Sequence, residues 1–446
     1  MTRLDGVVRQ ELARWTVPGM TVGILQGGER ETHAWGVTSL ETGYPMLPES
    51  VFRVASISKL FTATLAMTLV DEGKLDLDRP VAEYLPELKL GDAEAQRVIS
   101  VRHLLSHQSG LWGDFSEDHG LGEDALSRAV ARFGTVRQIT RPGELWAYCN
   151  VGFHLTGAVI QQIAGVPFET AMRERVFAPL GLKRTGFFAH EAIVHSAAVG
   201  HDQVKPGSDE HKVAGQYYPR NRNPAGGIIS CVDDLLTFAA MYLAGGVAAG
   251  GRVLSEAAIA AMWTPQIVAG SFADHYGIGF AIETVGGVRT VGHGGSINGY
   301  QSKLTLVPDR GFAFVALANS GRGSSAIRGI ERAMLDERCG ARQDEFPLLK
   351  LAEGALARYA GNYTQPNTEI AVTEEGAGLR VQVATVDPQS GERTEFPTIP
   401  LRPIGGDRFI VTDGETKGSK IEFIAGEGEK PRFMRFGGRF ADYQGT

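Results

Sequence analysis

The chain has 446 residues, 43% of them apolar, and a formal net charge of −7. That is enough for a large core and for two or three domains. There is no basic block and no apolar run of about eighteen residues, so nucleic acid and membrane are not expected partners. The start, "MTRLDGVVRQELARW", has no positive-then-apolar signal region, and a cytoplasmic location is expected. Cys149, Cys231 and Cys339 are odd in number and far apart, which fits reduced thiols better than a disulfide framework.

Residues 1–15 have the pattern of an amphipathic helix. "GMTVGIL" and "ETHAWGV" flank Gly27-Gly28 and predict a hairpin. "FRVASISKLFTATLAM", residues 52–67, opens a helix that runs to Glu72 and stops at Gly73, a suitable C′ residue. Residues 80–265 are mostly helical in pattern, broken by loops rich in Gly, Pro and Asp. Within them, "PAGGIISCVDDLLTFAAMYLAGG" predicts a capping box, with Ser230 and Asp233 opening a helix. Strand patterns return in "YGIGFAI", "VRTVGH", "YQSKLTLVP" and "GFAFVALANS", followed by the helix "SSAIRGIERAMLDE". One sheet built from both ends of this region, with the helical insert as a second lobe, is therefore expected, and a cleft between lobes is where a site belongs. After "GARQDEFPLLK" the character changes to short alternating strands, "LRVQVA", "RFIVT", "KIEFIAG" and "RFMRFGG", which predict a small antiparallel barrel or sandwich. The expected division is an α/β domain over 1–342, a linker over 343–354 and an all-β domain over 355–446.

Three stretches carry chemistry. Ser56 and Lys59 form the only Ser-x-x-Lys in the chain. A serine at a helix start has free backbone N–H groups beside it for an oxyanion, and a lysine three residues on shares its face. Burial and the helix dipole both favour a neutral amine, a plausible base. "WAYCNVG" puts Tyr148 and Asn150 on either side of Cys149, so an extended loop points both at one cleft and turns the cysteine to the core. "VGHGGSINGY" sets His293, Gly294 and Gly295 between strand patterns, where glycine marks close approach of another backbone or a ligand.

The order Ser56-Ile-Ser-Lys59, Tyr148-Cys-Asn150, His293-Gly-Gly295 resembles the penicillin-recognising serine hydrolases. It is most similar to the branch holding class C β-lactamases, D-alanyl-D-alanine carboxypeptidases, D-aminopeptidases and related carboxylesterases. "VRHLLSHQSGL", "FAPLGLKRTGF" and "PAGGIISCVDDLLTFA" resemble the same scaffold, and the likeness covers roughly residues 5–340. It implies a two-lobed β-lactamase/penicillin-binding-protein-like α/β fold followed by a lipocalin-like barrel. It implies Ser56 as nucleophile and Lys59 and Tyr148 as the proton-handling pair. Asn150, His293, Gly294 and Gly295 would orient substrate, and the N–H groups of Ser56 and Ser296 would form the oxyanion hole. The activity implied is acyl transfer through an acyl-enzyme on amide or ester bonds of a small or short-peptide substrate, with selectivity for D-residues among the properties found in that branch. Alternatives within the resemblance are a carboxylesterase or β-lactamase, a peptide-cyclising thioesterase, and an acylated receptor that does not turn over. The third motif departs from the lactamase pattern, which usually has lysine where His293 stands. A mostly neutral imidazole is a weak anchor for a carboxylate, so neutral amides and esters are the expected substrates.

The competing signals are weaker. His103 and His107 stand at i, i+4, but no Glu follows His103 and no third ligand is in view, so structural roles are expected and no metal or other cofactor. No serine has glycine two residues before and two after, so the nucleophile elbow of α/β-hydrolases is absent. Oligomeric state is left open by the sequence.

Overall fold

The computed structural model describes residues 3–343, 345–352, 354–387, 390–426, 428 and 430–445. Two compact units emerge: Met1–Asp202 with Lys212–Val268 and Asp274–Gln343, and Gln203–His211 with Ala269–Ala273 and Asp344–Thr446.

The first unit is built on an eight-stranded antiparallel sheet. Its strands are β1 (Gly19–Gln26), β2 (Glu29–Gly36), β3 (Ile267–Val268), β4 (His275–Tyr276), β5 (Ala281–Val285), β6 (Val288–Ile297), β7 (Tyr300–Val307) and β8 (Phe312–Ala318), in the order β2-β1-β8-β7-β6-β5-β4-β3. The N-terminal hairpin and the later strands of this unit meet where β1 pairs with β8, Gly23 opposite Val315. All seven residues of β8 are buried, because both faces of the sheet are covered. Phe312, Phe314, Ala316 and Ala318 face one layer, with α1 (Arg3–Trp15) and a C-terminal helix, Gly323–Cys339. Ala313, Val315 and Leu317 face the other and join the core of the helical lobe. This period-2 division is what a doubly covered strand requires.

At the centre of the helical lobe runs α2 (Ser58–Asp71), with every residue from Ser58 to Leu69 buried. Phe61 stacks on Phe238 with ring centroids 3.9 Å apart. A helix apolar all round is held by packing on every side, each buried large side chain contributing roughly 1.5–3 kcal/mol. The box expected at Ser230 and Asp233 does not form. The helix starts one residue later, at Val232 after Cys231. Ser230 Oγ lies instead 2.8 Å from Thr185 Oγ1, while the next carboxylate, Asp234, accepts the Arg184 N–H at 2.8 Å.

The second unit is a closed barrel. Its strands are β9 (Gly361–Gln365), β10 (Thr368–Glu375), β11 (Gly378–Val386), β12 (Arg393–Glu395), β13 (Ile399–Gly405), β14 (Arg408–Val411), β15 (Lys420–Ala425), β16 (Pro431–Phe436) and β17 (Arg439–Gly445). They pair in the order β10-β9-β17-β16-β15-β14-β13-β11, and β11 pairs back with β10 to close the ring; β12 is appended to β11. Tyr363, Phe409, Phe423 and Met434 fill the interior. The fold is thus the α/β unit and all-β barrel that the sequence predicts. Among the described residues, no helix is long and apolar enough to cross a membrane.

Candidate active site

Ser56 is placed by a rigid approach. A short bridge pairs Phe52-Arg53 with Ile229-Ser230. The Val54 N–H donates to Ile228 O at 3.0 Å, and Val54 O accepts Ser302 Oγ at 2.7 Å. Ala55 then takes φ +49°, a left-handed conformation that costs a residue with a Cβ about 1–3 kcal/mol. Ala55 is buried, so the surrounding packing enforces that turn. Ala55–Ile57 form a 3-10 turn that runs directly into α2. Ser56 therefore sits one turn ahead of the positive end of a long buried helix.

Lys59 is fully buried. Its Nζ lies 3.0 Å from Ser56 Oγ and donates to Ala225 O at 2.7 Å. It also sits 4.8 Å from the centroid of the Tyr148 ring and 5.4 Å from that of Phe153. The Ala225 carbonyl is itself held in place. Asn223 Nδ2 donates to Glu169 Oε1 at 2.6 Å, and Arg220 reaches both carboxylate oxygens of Glu169 at 3.2 and 3.0 Å.

The second motif forms the opposite wall. The Cys149 N–H donates to His107 Nδ1 at 2.9 Å, and Cys149 Sγ accepts the Gly152 N–H at 3.3 Å, capping the helix Asn150–Ala164. The cysteine thus faces inward, as expected. The Tyr148 ring packs 4.5 Å from His107 and 5.9 Å from His293. Asn150 Nδ2 donates to Asp114 Oδ1 at 2.8 Å.

The third motif lies on β6. The ladder with β5 ends at Gly292, and residues 293–297 pair only with β7 among the described residues. A Cβ on Gly295 would meet Ser302 Oγ at 2.3 Å and Val54 O at 2.4 Å, so only glycine lets this strand approach the Ser56 turn. His293 is buried, and burial first, then the nearby Lys59 charge, pushes its imidazole down to about 3. It is neutral at physiological pH. Ser296 Oγ accepts Gln301 Nε2 at 2.8 Å.

Ser56, Asn150 and Ser296 line one cavity of about 310 Å³, together with Asp114, His154 and Arg222 among others. Lys59, Tyr148, His293, Gly294 and Gly295 stand behind that lining. The structure therefore brings all eight sequence-predicted site residues to one place, three at the cavity surface and five in its supporting wall.

Residues 4–336 match the Beta-lactamase family. The chain belongs to that family. It is 36% identical over 336 residues to "Penicillin-binding protein 4" of Amycolatopsis lactamdurans, covering 74% of this chain and 88% of that protein. It is 28% identical over 340 residues to a D-aminopeptidase of Brucella anthropi, covering 73% of this chain and 61% of that protein. Its structure resembles that of SurE with D-Leu, 25% identical with a TM-score of 0.72, over 99% of this chain and 98% of that one. It is an enzyme of the penicillin-recognising serine hydrolases.

The structural roles expected of His103 and His107 are the ones observed: His107, with φ +60°, holds the Tyr148–Asn150 loop through the Cys149 N–H, and His103 closes a capping box with Ser100. Three residues around this Beta-lactamase-family site lie outside the sequence expectations. Glu169 and Asn223 hold the acceptor of Lys59, an arrangement with no local pattern. His154 had a signal: it lies four residues after Asn150, one turn along the same helix face.

Proposed function

We propose that the protein hydrolyses amide or ester bonds of small or short-peptide substrates through an acyl-enzyme on Ser56. The observation that carries this reading is the fully buried Lys59 Nζ 3.0 Å from Ser56 Oγ. Ser56 Oγ attacks the substrate carbonyl and its proton passes to the Lys59–Tyr148 pair. The new Oγ–C bond forms as the tetrahedral oxygen gains charge opposite the N–H groups of Ser56 and Ser296. Collapse breaks the amide or ester bond, and the leaving group departs with the proton. Water then repeats the sequence and frees the acid. Two similarities favour a D-configured residue at the scissile bond: the relative named as a D-aminopeptidase and the solved structure named with D-Leu.

The test is active-site labelling. Ser56→Ala should abolish both turnover and labelling by a fluorophosphonate, with turnover falling on the order of 10³-fold or more, while the circular dichroism spectrum is unchanged. Labelling of another serine at the wild-type rate would overturn the assignment. Paired D- and L-amino-acid amides then read the stereochemical preference.

A further inference from the structure

The cavity over Ser56 contains polar groups that the acyl-transfer reading does not use. His154 is 2% exposed, and neither ring nitrogen has a hydrogen-bond partner among the described residues. Its ring stacks on Phe133, centroids 6.3 Å apart, and the residue lines the cavity. A buried imidazole with both nitrogens unsatisfied carries a desolvation cost that a ligand can relieve. Burial, with the nearby Lys59 and Arg222 charges, pushes the imidazole down to about 3, so near pH 7 it offers one N–H donor and one acceptor.

Arg222 lines the same cavity. Its Nη2 donates to Ser116 O, while its Nε is buried without an acceptor among the described residues. Its guanidinium makes no ion pair with the described residues. The cavity's own carboxylate, Asp114, receives Asn150 Nδ2 at 2.8 Å. A half-buried guanidinium without a counter-ion, beside a donor-bearing imidazole, matches a planar anion: a carboxylate takes a forked pair from arginine and a further N–H from histidine.

We propose that Arg222 and His154 are specificity-determining residues that together hold a carboxylate of the substrate bound over Ser56. This rests on the acyl-enzyme reading above and assigns its substrate class. It also replaces the neutral-substrate expectation drawn from His293, because the cation enters the site from a different element. His293 is walled in behind the cavity, whereas Arg222 stands at its surface.

The test uses two matched pairs of thioesters. One pair, glutaryl and methyl-glutaryl thiophenol esters, places the carboxylate or its methyl ester in the acyl group. The other, hippuryl thioglycolate and its methyl ester, places it in the leaving group. In at least one pair the wild type should prefer the carboxylate about ten- to a hundredfold in kcat/KM, the range of charge-assisted hydrogen bonds. Arg222→Gln should bring that ratio close to one, mainly through KM, and Arg222→Lys should restore part of it. His154→Phe, which keeps the stacking on Phe133, should reduce the ratio. A ratio near one in the wild type for both pairs, or one that Arg222→Gln does not change, overturns the proposal. Ser56 labelling by fluorophosphonate separates the two levels. If Ser56 labels and the ratios fail, only the carboxylate assignment falls; if Ser56 never labels, both readings fall.

Discussion

Gly295 is the position where a single methyl group should be most damaging without touching any reacting atom. An alanine Cβ there would lie 2.3 Å from Ser302 Oγ, 2.4 Å from Val54 O and 3.0 Å from Ala55 Cβ. Against an ordinary carbon–oxygen contact of about 3.2 Å, the overlap with Val54 O is roughly 0.8 Å. Ser302 can rotate away only by giving up its 2.7 Å hydrogen bond to the same Val54 carbonyl, which costs about 0.5–1.5 kcal/mol. Val54 O is backbone, so the remaining overlap must displace the chain two residues before Ser56, with an overpacking cost of about 1–3 kcal/mol. A shift approaching 1 Å in a positioned nucleophile costs on the order of 10²-fold in rate. Gly295→Ala should therefore slow fluorophosphonate labelling and kcat by about ten- to a hundredfold, and lower Tm by a few degrees, roughly 2–8 °C. Gly294→Ala is the matched control. Its Cβ meets nothing closer than Ser302 O at 3.6 Å, an ordinary contact, and it should label at close to the wild-type rate. Wild-type labelling in Gly295→Ala, or an equal loss in Gly294→Ala, would refute this account of why the strand carries glycine.

Two further outcomes are expected. His154 and His293 titrate at about 3 in the folded protein against an ordinary value near 6.5. The unfolded chain therefore binds more protons between those values, and stability present above about pH 6.5 is lost as pH falls toward 3. By pH 4.5 each should have removed about 2–3 kcal/mol, so the urea midpoint of His154→Phe should fall less between pH 7 and 4.5 than that of the wild type; equal falls would contradict the burial argument. Glu169→Gln removes the charge that Arg220 grips in a buried pair, at a cost of about 3 kcal/mol in urea unfolding. It also loosens the segment that offers Ala225 O to Lys59, so kcat should drop more than KM rises, and unchanged stability together with unchanged kcat would remove that network from the explanation.

What could be read from the sequence follows the range of each interaction. Ser56 and Lys59 were legible because their geometry is local, set by one turn of one helix. The hairpin of β1 and β2 was legible because Gly27 and Gly28, both at positive φ, make its turn. Tyr148, Asn150 and His293 to Ser296 needed the family resemblance, since nothing local joins three segments far apart in the chain. Half the barrel went unread. Gly361–Gln365 and Arg439–Gly445 carry few inward apolar residues, Thr368–Glu375 is polar at both ends, and two prolines interrupt Ile399–Gly405. The cap at Ser230 was misplaced because its hydroxyl is engaged by Thr185, 45 residues away. His154 was overlooked for a related reason: it sits in a run of buried apolar residues and reads as core until the cavity beside it is seen.

Histidine at 293 and arginine at 222 together set how the charge of this site is distributed around Lys59. Lys59 is a fully buried amine, and a second buried cation beside it would add both desolvation cost and like-charge repulsion. A lysine at position 293, a buried position where the lactamase pattern carries one, would be such a cation, and this chain has an imidazole instead. Lys303, opposite Gly294 in the ladder, is tolerated because Glu331 Oε1 lies 3.5 Å from its Nζ. An imidazole at position 293 escapes the penalty by staying neutral. His154 escapes it in the same way. A cation for substrate recognition must then stand where water still reaches it before substrate binds and where an arriving anion can neutralise it. Arg222, half-buried at the cavity surface, meets both conditions. Under the proposed function, the wall around Lys59 is thereby spared a second cation, and Arg222 at the cavity surface supplies the charge that would meet the substrate carboxylate.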